Sequence, residues 1–203
     1  MIAIIDYGVG NLFSLSSSFK AIGADTIITG DPNEIRKADK LILPGVGAFG
    51  DAAKKLADSG LDTVIKEQAS KGIPLLGICL GMQLLFEESE ESPGVKGLGI
   101  LQGKIVKIPD QNGTLKIPQI GWNSLQFPNK GKLCEGLAEG SYVYFVHSYY
   151  LQAEDPSIVV ATTEYGVNIH ASVEKDNVFA CQFHPEKSST VGLKILDNFI
   201  HLG

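Results

Sequence analysis

A cysteine framed by glycines closes a continuous apolar run in this chain. The residues are Gly77-Ile78-Cys79-Leu80-Gly81-Met82-Gln83, and the run begins at Ile73. A nucleophile with glycine at −2 and +2, between a strand and a helix, sits on a tight, strained turn. Cβ atoms at the flanking positions would collide with the neighbouring strand and helix. A helix read over Gly81 to Glu88 aims free N–H groups and its positive dipole end at the sulfur, which favours the thiolate. The N–H of Leu80 then points at an oxygen bound above the sulfur. The alternative reading of the same residues is a buried structural cysteine.

Two other segments have matching chemistry. Phe183-His184-Pro185-Glu186 ends an apolar run. In extended backbone, residues i and i+2 face the same way, so His184 and Glu186 lie side by side. Pro185 keeps His184 out of the helical region. Glu186 then holds one imidazole nitrogen and leaves the other for the Cys79 proton, the nucleophile, base and orienter arrangement of acyl transfer. Standing alone, this motif also reads as a surface His–Glu pair. Pro44-Gly45-Val46-Gly47 follows another short apolar run. Its backbone N–H groups can form a second wall of an oxyanion hole, or it is an ordinary strand-to-helix loop.

These segments need a scaffold. Strands are expected at Met1–Asp6, Thr26–Thr29, Lys40–Leu43 and Ile73–Cys79. Helices are expected from an Asn11 cap to Ile22, at Asp51–Ala57 and Leu61–Ala69, and after Gly81. Strand and helix alternate through glycine-rich turns, and the strands are continuously apolar. That pattern belongs to a parallel sheet covered on both faces. Beyond about Gly97 strands dominate: Leu101–Ile108, Tyr142–Leu151, Ser157–Thr163, Asn168–Glu174 and Val178–His184, with a closing helix at Val191–His201. The fold class is α/β, a central mostly parallel sheet flanked by helices, with added antiparallel strands in the C-terminal half. One domain is expected over residues 1–203.

Composition narrows the function classes. The chain has 203 residues, 17 Lys and Arg against 23 Asp and Glu, and a net charge of −6, which disfavours strong nonspecific binding of nucleic acid or anionic membranes. No apolar run reaches the roughly 18 residues that a membrane span needs. The N-terminus has no basic region or cleavage site of a signal peptide, so a soluble cytoplasmic protein is expected. Three widely spaced cysteines without a CxxC pair suggest neither zinc nor a disulfide framework. Cys134 and Cys181 read as structural, and His170 and His201 have no assigned role. Gly8-Val9-Gly10 resembles the start of a dinucleotide fingerprint, with Asp31 near the acid position. Phe13 at the third glycine position argues against it. Glu87 to Ser92 (EESEES) reads by default as a solvated loop.

Taken in order, Pro-Gly-Val-Gly, Gly-Ile-Cys-Leu-Gly-Met-Gln and Phe-His-Pro-Glu resemble a class I, triad-type glutamine amidotransferase domain with a flavodoxin-like sheet. The resemblance covers nearly the whole chain. Asp6–Asn11, Gly121-Trp122-Asn123, Val146–Tyr149, Thr162–Tyr165 and Gln182–Ser189 narrow it to the glutaminase subunits of imidazole glycerol phosphate synthase. The resemblance implies that Cys79, His184 and Glu186 hydrolyse glutamine. Gly45, Val46, Gly47 and Leu80 would hold the oxyanion. Gln83 and Glu91 would grip the amino-acid end of the substrate, which overrides the solvated-loop reading of Glu91. Tyr144, His147 and Ser148 would border the pocket, although His147 alone reads as a satisfied core histidine. Asn11, Trp122, Asn123 and Lys187 would contact a separate (β/α)8-barrel cyclase subunit that receives the ammonia. No metal or cofactor is implied.

Val46 restricts φ where relatives in other pathways carry a Gly-Gly pair. A resting loop that points a carbonyl at the oxyanion position, turned on partner and nucleotide binding, is the expectation. The same chemistry serving an anthranilate- or aminodeoxychorismate-type synthase, a partner-independent Cys-elbow hydrolase, and a non-catalytic module are the competing readings. The Pro-Gly-Val-Gly segment and the His-Ser-Tyr run count against the first. The intact Cys79, His184 and Glu186 count against the last.

Overall fold

The computed structural model describes residues 1–202. In chain order its elements are β1 (Ile2–Ile5), α1 (Leu12–Ala21), β2 (Thr26–Thr29), α2 (Pro32–Lys37), β3 (Lys40–Leu43), α3 (Phe49–Ser59), α4 (Leu61–Ser70), β4 (Leu75–Ile78) and α5 (Leu80–Leu84). There follow β5 (Glu88–Ser89), β6 (Gly103–Lys107), β7 (Gln119–Ser124), β8 (Tyr142–His147), β9 (Tyr149–Ala153), β10 (Val159–Glu164), β11 (Asn168–Lys175), β12 (Val178–Cys181) and α6 (Ser189–His201).

The order β2-β1-β3-β4-β12 is a parallel sheet. Beyond β12 it becomes antiparallel through β11, β9 and β6, with β10 also paired to β11. The short strand β5 pairs parallel with β6. Apart from this sheet, β7 and β8 form an antiparallel ribbon in which Gln119 faces His147 and Trp122 faces Tyr144.

Sequence alternation explains the layers. Ala3 and Ile5 of β1 enter one core, with Ile35, Phe49, Leu56, Val64 and Ile65 of α2 to α4. Ile2 and Ile4 enter the other, with Leu15 and Phe19 of α1, Ile195 and Phe199 of α6, and Val143 and Phe145 of β8. Each side chain of the strand is therefore buried, which is why the run is continuously apolar rather than alternating.

Several expectations change, and β5 and β7 lie where no strand was expected. The helix after Cys79 has five residues, Leu80–Leu84, and does not reach Glu88. Leu98 N–H donates to the Leu84 carbonyl, and Ile100 and Leu101 donate to that of Leu85, so an inbound loop takes the acceptors a longer helix would use. The run Tyr142–Leu151 breaks at Ser148 into β8, in the ribbon, and β9, in the main sheet. The run Val178–His184 ends as strand at Cys181. Helix α2 was not expected; Asp31 caps it through Asn33 N–H at 2.8 Å and Pro32 starts it.

Candidate active site

The site forms because β4 and β12 are parallel neighbours ending at the same edge. Ile78 is in register with Cys181, and Cys79 N–H donates to the Cys181 carbonyl at 2.8 Å. Cys79 follows β4 with φ 55° and ψ −112°, a strained conformation for a residue with a Cβ. The flanking glycines are required. A Cβ on Gly81 would lie 1.8 Å from the Leu43 carbonyl oxygen, and one on Gly77 2.9 Å from the Gly81 oxygen. The end of β3 leaves no room for a methyl on Gly81, and the helix after the turn leaves none on Gly77.

His184 and Glu186 meet, but not through an extended strand. His184 is extended (φ −99°, ψ 98°), and a 3₁₀ turn at Pro185–Lys187 folds Glu186 back under the ring. His184 Nδ1 and Glu186 Oε1 are 2.8 Å apart, and their side chains are 3% and 4% exposed. Ser188, fully buried, fixes this turn: its hydroxyl donates to the His184 carbonyl at 2.6 Å and accepts from Tyr144 N–H at 2.9 Å. His184 Nε2 is buried and, among the described residues, has no hydrogen-bond partner. Burial disfavours the imidazolium, but Cys79 and Glu186 outweigh burial and raise the His184 pKa to about 10.

A cleft of about 240 Å³ opens over the sulfur, lined by Val46, Gly47, Cys79, Leu80, Gln83, Glu91, Pro118, Val146, His147, Ser148 and Tyr149. Val46 is 44% exposed. Leu80 N–H is not free: it donates to the Gly45 carbonyl at 3.3 Å. This carbonyl occupies the donor that the sequence reading gave to an oxyanion. Rotating the Gly45–Val46 peptide would release Leu80 N–H and bring Val46 N–H inward. Glu91 is half-buried, not a fully solvated loop residue; its Oε2 accepts from Phe49 N–H at 2.8 Å.

Behind the cleft runs a chain of amides. Gln182 Nε2 donates to Cys79 Sγ at 3.8 Å, and Gln182 Oε1 accepts from Gln83 Nε2 at 3.0 Å. Gln83 Nε2 also donates to the Tyr149 carbonyl at 3.1 Å, so both hydrogens of its amide are used within the protein. His147, 6% exposed, places Nδ1 2.8 Å from that carbonyl and Nε2 2.7 Å from the Gln119 side chain. Burial lowers the His147 pKa to about 4, with the His184 charge adding to the effect and the Tyr149 carbonyl opposing it. The ring is therefore neutral near pH 7 and carries one N–H; it faces two oxygens, the Tyr149 carbonyl and Gln119 Oε1, and donates to one of them.

The remaining residues divide. Tyr144 does not line the cleft. Its ring lies on the outer face of β8, edge-on to Trp122 with centroids 6.0 Å apart, and Lys187 Nζ is 5.8 Å from its centroid. Trp122 is 53% exposed, and Ile120 on the same face is also exposed. Asn11 caps α1, accepting from Ser14 N–H. The amide of Asn123 is used internally, donating to the Glu164 carbonyl and accepting from Ser124 N–H. Sequence reasoning did not single out Tyr149, Pro118, Gln119 or the individual role of Gln182. Gln182 had a signal: it is the polar residue inside an apolar run, and a buried amide demands partners. Cys134 and Cys181 are buried thiols, as expected. Among the described residues no cluster of potential metal ligands occurs, and no helix is long and apolar enough to cross a membrane.

The chain is similar to known proteins along nearly its whole length. A family model described as glutamine amidotransferase class-I matches residues 3–202. The imidazole glycerol phosphate synthase subunit HisH of Caldanaerobacter subterraneus is 52% identical, covering 98% of this chain and 97% of its own length. Those of Methanothermobacter thermautotrophicus and Bacillus subtilis are each 50% identical, covering 100% and 98% of this chain and 98% and 95% of their own lengths. Among solved structures, PurLQS from Thermotoga maritima superposes with a TM-score of 0.75 at 21% identity, covering 98% of this chain and 96% of that one. A crystal structure of a glutamine amidotransferase superposes at 0.77 and 19% identity, covering 98% and 97%.

Proposed function

Since the chain belongs to the class-I glutamine amidotransferases and, within them, to the HisH subunits of imidazole glycerol phosphate synthase, we propose that Cys79, His184 and Glu186 are its glutaminase triad. The Cys79 thiolate attacks the side-chain amide carbon of glutamine. The carbon–nitrogen bond breaks as His184 gives a proton to the departing ammonia. His184 then takes a proton from water, and the resulting hydroxide hydrolyses the γ-glutamyl thioester to glutamate and expels the Cys79 thiolate, restoring the starting state. Glu186 orients the ring and stabilises its charge.

Gly45, Val46 and Gly47, with Leu80, supply the oxyanion donors once the Gly45–Val46 peptide has turned. Before that turn, the bond from Leu80 N–H to the Gly45 carbonyl keeps the hole closed. Glu91 takes the substrate α-ammonium. Gln83, with both amide hydrogens engaged, can offer its oxygen; His147, Ser148 and Tyr149 complete the wall.

The ammonia passes to a separate (β/α)8-barrel cyclase subunit. There it enters imidazole glycerol phosphate and aminoimidazole carboxamide ribonucleotide in cytoplasmic histidine synthesis. The exposed face of Ile120, Trp122 and Tyr144, with Asn11 and Lys187, is the proposed docking surface. Tyr144 thus moves from the substrate pocket to this face, while Asn123, tied internally, contributes through the strand it holds.

The observation that carries the reading is the convergence of a strained Cys79 and a buried His184–Glu186 pair at the ends of two adjacent parallel strands. The test is ammonia release from glutamine by the chain alone, with cyclase, and with cyclase plus its nucleotide. Release should appear mainly in the last mixture and vanish in Cys79→Ala. Full activity without the partner would refute the closed resting hole. Val46→Gly, which frees the peptide to turn, should raise the lone chain's turnover by about tenfold.

A further inference from the structure

The segment that must turn is only four residues long, and both of its ends are tied. At the near end, the buried Tyr7 hydroxyl donates to the Pro44 carbonyl at 2.8 Å. Gly45 is packed so closely that an added Cβ would lie 2.8 Å from that hydroxyl and 2.9 Å from Gly81 N. At the far end begins α3, whose N-cap residue, Ala48, has no side chain able to cap it. The caps come from another part of the chain. Glu91 Oε2 accepts from Phe49 N–H at 2.8 Å, and Ser92 Oγ accepts from Gly50 N–H at 3.0 Å.

This outside clamp is itself anchored. Glu90 N–H donates to the Ile105 carbonyl at 2.9 Å, and Glu90 Oε2 accepts from Lys107 N–H at 2.8 Å, fixing the loop to β6. Phe49 is fully buried beneath the same loop, and a Cβ on Gly97 would lie 3.2 Å from its ring. Between the two ties, Val46, Gly47 and Ala48 are exposed, and Gly47 has φ +93°, a conformation that glycine adopts without strain. The Gly45–Val46 peptide can therefore rotate as a crankshaft between fixed ends.

Glu91 has a second face. Among the described residues, no donor reaches its Oε1, and the residue lines the cleft beside Cys79. One carboxylate thus spans the substrate cleft and the first N–H of the helix on which the mobile segment ends. We propose that Glu91 and Ser92 are positioning residues that clamp the far end of the oxyanion segment, and that Glu91 couples capture of the substrate ammonium to the turn of the Gly45–Val46 peptide. This rests on the glutaminase reading above. A bound ammonium on Oε1 restrains the carboxylate, and the restraint passes through Oε2 to the Phe49 end of the crank. Ser92 does the same mechanical work without touching substrate.

The test separates the two functions of Glu91 in the chain assayed with its cyclase subunit and nucleotide. Glu91→Gln keeps an acceptor for Phe49 N–H but loses the charge that attracts the ammonium. It should raise KM by tenfold or more, on the order expected for a charged hydrogen bond, and lower kcat about threefold because the capture that drives the turn is weakened while the clamp remains; a wild-type kcat here would overturn the coupling. Glu91→Ala loses both functions and should lower kcat about tenfold as well. Ser92→Ala loses only the clamp and should lower kcat by about three- to tenfold at unchanged KM. Hydrogen exchange at Phe49 and Gly50 should accelerate in Ser92→Ala and Glu91→Ala but not in Glu91→Gln.

Wild-type kcat in both Ser92→Ala and Glu91→Ala would overturn the clamp, as would equal losses of kcat in Glu91→Gln and Glu91→Ala. The glutaminase reading is checked separately, by Cys79-dependent glutamate release from the unsubstituted chain. The exchange measurement tests the clamp whatever that assay gives.

Discussion

Acidification should unfold this protein partly through one neutral histidine. His147, whose ring nitrogens face the Tyr149 carbonyl and Gln119 Oε1, is kept uncharged by burial, with a pKa of about 4. In the unfolded chain an ordinary histidine titrates near pH 6.5. Between these values the unfolded state binds more protons, so stability falls as pH falls through that window and levels off below it. At pH 4.5 the loss attributable to His147 amounts to about 2.5 kcal/mol relative to pH 7.5. His184 gains stabilisation as pH falls from 7.5 to about 6.5, but equally in wild type and variant, so it cancels from the comparison below. Its folded pKa lies above the unfolded value, so its stabilisation is fully present below about pH 6.5 and is lost only as pH rises towards about 10. The perturbation is His147→Gln, which retains hydrogen-bonding capacity but does not titrate. Urea unfolding of both proteins at several pH values between 7.5 and 4.5, followed by circular dichroism, gives the comparison. The wild type should lose about 2.5 kcal/mol more than the variant over that range. Parallel loss in the two proteins, or an imidazole NMR titration of His147 near pH 6.5, would refute the reasoning.

Two further outcomes follow from the elbow. Gly81→Ala places a methyl 1.8 Å from the Leu43 carbonyl oxygen. It should cost about 3 kcal/mol and lower Tm by about 6 to 12 °C in a thermal melt, with loss of glutaminase activity. Gln182→Leu removes the N–H that meets the Cys79 sulfur. Alkylation of Cys79 by iodoacetamide near neutral pH should slow about tenfold, with kcat falling in step and KM changing little.

Local geometry was legible where one residue type had one use. The glycines at 77 and 81 announced a turn with no room for Cβ, and the structure puts backbone or side-chain atoms within 3 Å of both virtual methyls. Asn11 bounded α1 as its type requires. The His184–Glu186 pairing was legible, but its route was not. Extended spacing predicts neighbours on one face, whereas the pairing comes from a 3₁₀ turn held by Ser188, which bonds the His184 carbonyl and the N–H of Tyr144, 44 positions away. Tyr144 illustrates the limit of motif carry-over. It lies in the same run as His147, but period-two alternation along β8 turns its ring to the outer face while His147 points inward.

By itself, the sequence determined the layered α/β class, the glycine-framed turn at Cys79, the pairing of His184 with Glu186 and the family, because each rests on short-range sterics or on a local residue pattern. Tertiary structure decided which distant residues meet. Adjacency of β4 and β12 sets Gln182 beside Cys79, the break at Ser148 sends β8 and β9 into different sheets, and the loop before β6 delivers Glu91 and Ser92 to α3. The Glu91 and Ser92 contacts are long-range hydrogen bonds to backbone N–H groups, and every residue but proline carries the same backbone donor. Nothing in the local sequence says which N–H a carboxylate will reach. Only the folded path of the chain does.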